Sequence, residues 1–112
     1  MRYAIAGGWA LDRKHWRQFE TKLTDAFARC GQPAALICGH MPGCERFAIE
    51  WGLLHNLPEI HMIRTVMPVE RSRHFLDHNP AVLILFASGS PANVVLRDKF
   101  MARMLPVVEI PI

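Results

Sequence analysis

The apolar run from Ala81 to Phe86, Ala-Val-Leu-Ile-Leu-Phe, constrains the fold of this chain more than any other feature. A strand with one face in water alternates apolar and polar residues, whereas this run has no polar face. It therefore predicts a strand that is buried on both faces in the middle of a sheet. Sheets covered on both faces are characteristically parallel, and helical crossovers join their strands.

In the rest of the chain, predicted strands alternate with predicted helices, as a parallel sheet with helical crossovers requires. Apolar residues recur at helical spacing between the other predicted strands, as in Phe19 with Leu23 and Leu96 with Phe100. Five strands and four helical segments predict an α/β fold with a mostly parallel five-stranded sheet and helices on both faces. The expected strand order is 3-2-1-4-5. Besides Ala81–Phe86, the predicted strands are Tyr3–Ala6, Ala35–Cys38, Ile60–Val66 and Val107–Ile110.

Individual residues predict how the helices begin and which face they bury. Asp12 is the expected N-cap of the first helix, because its carboxylate can accept from the backbone N–H groups of the first turn. In the second helix, Phe47, Trp51 and Leu54 are expected to lie on one face. The last helix is expected to carry Leu96, Phe100 and Met104 at four-residue steps.

Composition narrows the class of protein. The 112 residues are 51% hydrophobic and 21% charged, which favours one folded domain over residues 1–112. The formal net charge is +3, and the lysines and arginines are scattered along the chain. Binding to nucleic acid is therefore permitted but not indicated.

Cysteine spacing and hydropathy predict the cellular compartment. Cys30, Cys38 and Cys44 have neither the C-x-x-C spacing of a zinc site nor the even count of a disulfide framework, so reduced thiols are expected. No apolar run reaches the roughly 18 residues that could span a membrane. The first apolar segment is also too short for a signal peptide. We therefore expect a cytoplasmic protein with no membrane partner.

Three loops of small residues follow predicted strands, namely Gly7–Trp9, Gly39–Glu45 and Ser88–Asn93. In open parallel sheets, ligands bind beyond the carboxyl ends of the strands, where the strand order reverses. The start of a helix also presents backbone N–H groups to an anion. In the predicted strand order the three loops rim one pocket suited to phosphate or carboxylate. Ordinary turn chemistry would explain each loop taken alone.

Several segments of the chain resemble one known family. Gly39–Ala48 reads Gly-His-Met-Pro-Gly-Cys-Glu-Arg-Phe-Ala and is similar to the Gly-Gly-Ala-Pro-Gly-Ala-Asp-Arg-x-Ala signature of small YspA-like proteins in the SLOG superfamily. Ala6–Gly8 stands where the family has a Gly-Ser-Arg turn. Glu70–Ser72 resembles its Arg-Asn or Glu-Arg-Lys segment, and Leu85–Asn93 resembles its Pro-Gly-Gly-x-Gly-Thr loop. The superfamily also includes the LOG cytokinin-activating phosphoribohydrolases and the DprA DNA-processing proteins.

The resemblance implies a Rossmann-like three-layer sandwich that binds a nucleotide-like small molecule and forms a homodimer. Many members act as sensors in prokaryotic or phage systems, and no cofactor or metal is expected here. The residues expected to bind the ligand and its phosphate are Gly7, Gly8, Gly39, His40, Gly43, Glu45, Arg71, Ser88, Gly89, Ser90 and Asn93.

The chain departs from the family where catalysis would need a carboxylate. Val94 and Val95 stand where the LOG enzymes carry glutamates, so no acid or base for N-glycosidic cleavage is offered there. We therefore expect no catalytic residues. Phosphoribohydrolase activity on nucleoside monophosphates is the enzymatic alternative, and single-stranded DNA binding or a protein-interaction role are the others.

Several candidate residues also have purely structural interpretations. Arg71 is either a phosphate clamp or a solvated residue on a short helix. Glu45 either binds a ribose hydroxyl or only sits favourably in a first helical turn. His40 is a candidate hydrogen-bond partner or weak base. His74 and His78 lie four residues apart but have no third ligand at a recognised metal-site spacing.

Overall fold

The computed structural model describes residues 1–8, 11–86 and 89–112. Its strands form one sheet in the order β3-β2-β1-β4-β5, and every neighbouring pair is parallel. The predicted α/β fold and strand order are therefore confirmed. The strands are β1 (Arg2–Ala6), β2 (Ala35–Gly39), β3 (Glu59–Ile63), β4 (Val82–Phe86) and β5 (Val107–Ile110).

The described residues contain four α-helices, and Asp12 caps the entry to the first. The Asp12 carboxylate accepts a hydrogen bond from the backbone N–H of Lys14, while the backbone N–H of Asp12 donates to Nδ1 of His15. Asp12 thus caps the short 3-10 turn Arg13–His15, which leads into the first helix. The helices are α1 (Trp16–Cys30), α2 (Cys44–Leu54), α3 (Pro68–Asp77) and α4 (Pro91–Ala102).

The three central strands, β2, β1 and β4, are buried on both faces because their side chains alternate between two apolar clusters. In β4, Val82 and Ile84 belong to the cluster that includes residues of α1 and α2. Leu83 and Leu85 belong to the cluster that includes residues of α3 and α4. Every residue of β4 is buried, as the unbroken apolar run predicts.

The third strand is shorter than predicted. It ends at Ile63 rather than at Val66. Ile63 pairs with Gly39, the last residue of β2, and β3 lies at the edge of the sheet. Residues 64–66 therefore have no neighbouring strand to pair with.

Two residues of the apolar sets predicted for the second and last helices are exposed. Leu54 is 61% exposed because the buried stripe of α2 follows Ala48 and Gly52, which turns position 54 away from the sheet. Met104 is 92% exposed, since α4 ends at Ala102 and Met104 adopts a left-handed conformation with φ of 59°. No helix in the described residues is long and apolar enough to cross a membrane.

A histidine cluster lies on the surface near β3 and the end of α3. The rings of His61 and His78 stack with centroids 4.4 Å apart. Arg2 donates from Nε and Nη2 to the backbone oxygen of His78, and from Nη1 to Glu59 at 2.9 Å. Hydrogen bonds from His61 and Arg2 hold the pKa of Glu59 below its usual value. Desolvation, followed by the charges of His61 and Arg2, lowers the pKa of His78.

The lowered pKa of His78 predicts that stability falls in mild acid. Because the unfolded chain takes up a proton at His78 more readily than the folded chain, the stabilisation is complete above the unfolded pKa of about 6.5 and is lost as pH falls through the lower folded value. Urea denaturation at pH 7.5, 6 and 5 should show this decline. His78→Gln keeps the backbone oxygen that Arg2 contacts and should reduce the decline. Equal pH slopes for His78→Gln and the wild type would contradict the assignment.

Candidate functional site

The loops after β1 and β2 and the start of α4 meet at the carboxyl end of the sheet. The backbone N–H of Cys44 donates to the oxygen of Gly8 at 3.1 Å, and Nδ2 of Asn93 donates to the oxygen of Gly7 at 3.2 Å. A Cβ at Gly7 would lie 2.7 Å from Cβ of Phe86 and 2.9 Å from Cβ of Cys44. The absence of a side chain at Gly7 is therefore what lets these segments approach one another.

A buried ion pair lies at the centre of this junction. Nη2 of Arg71 in α3 donates to Oε1 of Glu45 in α2 at 3.0 Å, and to Oδ1 of Asn93 in α4 at 3.3 Å. Glu45 and Asn93 are 0% exposed and Arg71 is 3% exposed. The guanidinium carbon of Arg71 also lies 5.1 Å from the ring centroid of Phe75. Three helices thus contribute one side chain each to a single network.

Gly39 makes room for the carboxylate of this network. A Cβ built at Gly39 would lie 1.4 Å from Oε1 of Glu45 and 2.5 Å from its Cδ. The Glu45 carboxylate therefore occupies the space in which any other residue at position 39 would place its side chain. Gly43, just before α2, has φ of 87°, a conformation that favours glycine.

The beginning of α4 fixes the orientation of Asn93. Ser90 is the N-cap of α4, and its hydroxyl accepts a hydrogen bond from the backbone N–H of Asn93 at 3.3 Å. Pro91 follows at the first helical position, where a missing N–H carries no cost. The side-chain amide of Asn93 then accepts from Arg71 and donates to Gly7. The capped helix end thereby connects the ion pair to the loop after β1.

A small cavity of about 50 Å³ adjoins the ion pair. Nη1 of Arg71 is buried and has no hydrogen-bond partner within the described residues. The cavity is too small for a nucleotide, but it has room for a water molecule or an oxygen of an anion. A larger ligand would have to place most of its atoms outside it. The cavity is lined by Met41, Thr65, Val66, Arg71 and Ala92.

The structure brings most of the predicted site residues together. Gly7, Gly8, Gly39, Gly43, Glu45, Arg71, Ser90 and Asn93 all lie in or beside the network just described.

Three of the predicted site residues are not part of this network: two lie elsewhere in the structure, and one is not among the described residues. Nδ1 of His40 lies 3.1 Å from the backbone oxygen of Ile63, and His40 lines a separate cleft between α2 and β3. Gly89 is exposed, and a Cβ there would meet nothing within 4 Å. Ser88 lies outside the described residues, as does Trp9 in the predicted loop after β1.

Burial decides between the alternative interpretations of two charged residues. The interpretation of Arg71 as a solvated helix residue is wrong, because only 3% of it is exposed. Glu45 does lie in the first turn of α2, but it also forms a buried ion pair there. Sequence reasoning missed four cavity-lining residues, whose apolar or small side chains carry no chemical signal that would have identified them: Met41, Thr65, Val66 and Ala92.

The buried cysteines and the histidine pair give no sign of a second chemistry. Burial raises the pKa of Cys44 to about 12, and it raises the pKa of Cys38 as well, so both remain protonated packing residues. The ring of His74 contacts the hydroxyl of Thr65, while His78 stacks on His61. Within the described ranges, no group of three or more His, Cys, Asp or Glu side chains is arranged to hold a metal ion.

The fold is similar to that of a solved enzyme. The chain superposes with a TM-score of 0.61 on the E. coli tRNA N6-threonylcarbamoyladenosine dehydratase TcdA, whose crystal structure is a complex with AMP. The match covers 96% of this chain at 10% sequence identity, and the chain spans 49% of the length of TcdA. At this identity the similarity shows a shared Rossmann-like α/β fold. The chain matches no family model and no curated protein, so the SLOG resemblance stays a prediction.

Proposed function

We propose that this protein binds a nucleotide or a nucleotide derivative of the phosphoribosyl or ADP-ribose type. The observation that carries the proposal is the buried Arg71, whose Nη1 lacks a protein acceptor within the described residues and which lines a cavity at the carboxyl end of the sheet. An arginine so placed favours an anionic oxygen, and a phosphate is the anion that a nucleotide supplies. The AMP in the TcdA complex and the SLOG resemblance support the same ligand class.

The rest of the site suits a phosphate at the mouth of the cavity. Two helices, α2 and α4, begin here, and the positive ends of their dipoles favour an anion. Glu45 balances the charge of Arg71 and fixes its orientation, so that Nη2 is engaged and Nη1 is left for the ligand. In this proposal the sugar and base lie outside the cavity, because a volume of about 50 Å³ holds neither of them.

The proposed role is that of a binding or sensor protein in a prokaryotic or phage system, acting as a homodimer. The carboxylates near the proposed site disfavour the glycosidase alternative. Glu45 is held by Arg71 at 3.0 Å and is fully buried, and Val94 and Val95 supply no acid or base. A glycosidase would release free base from nucleoside monophosphates, and chromatography of such incubations tests for it.

Thermal unfolding with AMP, ADP-ribose and NAD tests the proposed binding. A ligand at 100 times its dissociation constant should add about 2.7 kcal/mol of stability, which raises the Tm of a domain of this size by about 10 °C. Ala92→Leu places a larger side chain at the cavity without altering the ion pair, and it should abolish the shift. Ala28→Leu makes the same change at an exposed position of α1 and should retain it.

Two outcomes would overturn this proposal. One is the absence of a shift with every nucleotide in the panel. The other is an equal shift for the wild type and Ala92→Leu, since the ligand would then bind somewhere other than the cavity beside Arg71.

A further inference from the structure

Besides the cavity beside Arg71 and the cleft that His40 lines, another cleft lies between α3 and the carboxyl end of α4, and we call it the second cleft. It has a volume of about 320 Å³, within the range of small-molecule sites, and it shares no lining residue with the cavity beside Arg71. Its lining residues are Val69, Arg73, Leu76, Lys99, Ala102 and Arg103.

Every charged residue that lines this cleft is a cation. Arg73, Lys99 and Arg103 form no ion pair with any carboxylate in the described part of the chain, whereas Arg97 on the same helix contacts both Asp98 and Glu109. Lys99 and Arg103 lie four residues apart, a spacing at which like charges repel on a helix surface. A cleft lined by one sign of charge concentrates ions of the opposite sign.

The rest of the cleft lining is apolar. Val69 is 62% exposed at its edge, whereas Leu76 is buried. Ala102, the last residue of α4, is exposed as well. The cations therefore lie beside exposed apolar surface.

We propose that this cleft binds a phosphate monoester that carries an apolar chain. Three cations more than balance the two negative charges of a phosphate monoester, and one guanidinium can donate to two phosphate oxygens at once. The exposed apolar surface of Val69 and Ala102 gains from contact with an alkyl group. An inorganic phosphate would use only the first of these features, and a neutral alcohol only the second.

Titration calorimetry with hexyl phosphate tests the proposal at pH 8. The full chain should bind hexyl phosphate at least roughly tenfold more tightly than inorganic phosphate, because only the ester covers Val69 and Ala102. Arg73→Gln and Arg103→Gln should each weaken binding by roughly tenfold. Arg97→Gln is the matched control on α4 and should leave the affinity unchanged within about twofold, since its partners are Asp98 and Glu109.

The source of the phosphate is tested separately with phosphatidylcholine vesicles that contain phosphatidic acid. Sedimentation with these vesicles that is lost in Arg73→Gln assigns the phosphate to a lipid headgroup, and binding of hexyl phosphate without sedimentation assigns it to a soluble ester. Both results support the proposed chemistry.

Four results would overturn it. The first three are an absence of hexyl phosphate binding, equal affinity for hexyl phosphate and inorganic phosphate, and an equal loss of binding in Arg97→Gln and Arg73→Gln. The fourth concerns the cavity beside Arg71. Ala92→Leu separates the two sites. If this variant loses hexyl phosphate while Arg73→Gln retains it, the ester binds beside Arg71 and the second cleft is not its site. Arg73 and Arg103 are exposed, so these variants should fold.

Discussion

Replacing Gly39 with alanine should lower the free energy of unfolding by about 3 to 5 kcal/mol, the usual cost of breaking a buried ion pair. The new Cβ would lie 1.4 Å from Oε1 of Glu45, so the carboxylate would have to leave its position. Moving it takes the carboxylate away from Arg71, which is buried and would lose its charge partner. Urea denaturation at pH 7.5 measures the change.

Gly89→Ala is the control for this prediction. Gly89 also follows a strand at the carboxyl end of the sheet, but a Cβ there meets nothing within 4 Å. Its free energy of unfolding should change by less than about 1 kcal/mol. Comparable losses for the two variants would mean that the close approach of Glu45 to Gly39 is not what destabilises Gly39→Ala.

Replacing Arg71 with methionine should also cost about 3 to 5 kcal/mol, because Glu45 would keep a buried charge without its cation. Asn93 would lose a donor to its side-chain oxygen at the same time. Arg13→Met is the matched control, since Arg13 pairs with Glu50 at 3.0 Å on the surface. Exposed pairs contribute about 0 to 1 kcal/mol, so this variant should unfold near the wild-type urea concentration.

A double-mutant cycle separates the ion pair from other effects at Arg71. Combining Arg71→Met with Glu45→Met removes both charges, so neither is left buried without a partner. The double variant should therefore be less destabilised than the sum of the two single variants, by about 1 to 3 kcal/mol. Strict additivity would show that Arg71 and Glu45 act independently, in spite of the 3.0 Å contact between them.

Periodicity alone predicted the architecture well. The apolar run Ala81–Phe86 predicted a doubly buried strand, and β4 lies in the interior of the sheet with every residue buried. The turn residues predicted the ends of the helices and strands to within a few positions. The largest departure at a strand end was β3, which stops at Ile63 because its neighbour β2 stops at Gly39. A strand end that depends on a neighbour cannot be found from local pattern.

The candidate site was only partly accessible to sequence reasoning. The glycine-containing loops and the family resemblance singled out Gly39, Glu45, Arg71 and Asn93, and these residues do lie together. The local sequence pattern did not indicate that Glu45 pairs with Arg71, because 26 positions separate the two residues along the chain. His40 belongs to the same loop by sequence, yet its side chain lines a different cleft.

The sequence by itself determined the α/β class, because this class follows from short-range apolar periodicity and from the alternation of strands with helices. The strand order 3-2-1-4-5 was an expectation, and the pairing of the strands confirms it. Only the tertiary structure decided which charges are buried and what they contact. Burial of Arg71 depends on α2, α3 and α4 converging at one end of the sheet, and the cation-lined cleft depends on how α3 packs beside α4. These contacts join residues far apart in the chain, and the free energy of placing a charge depends on that three-dimensional environment rather than on neighbours in sequence.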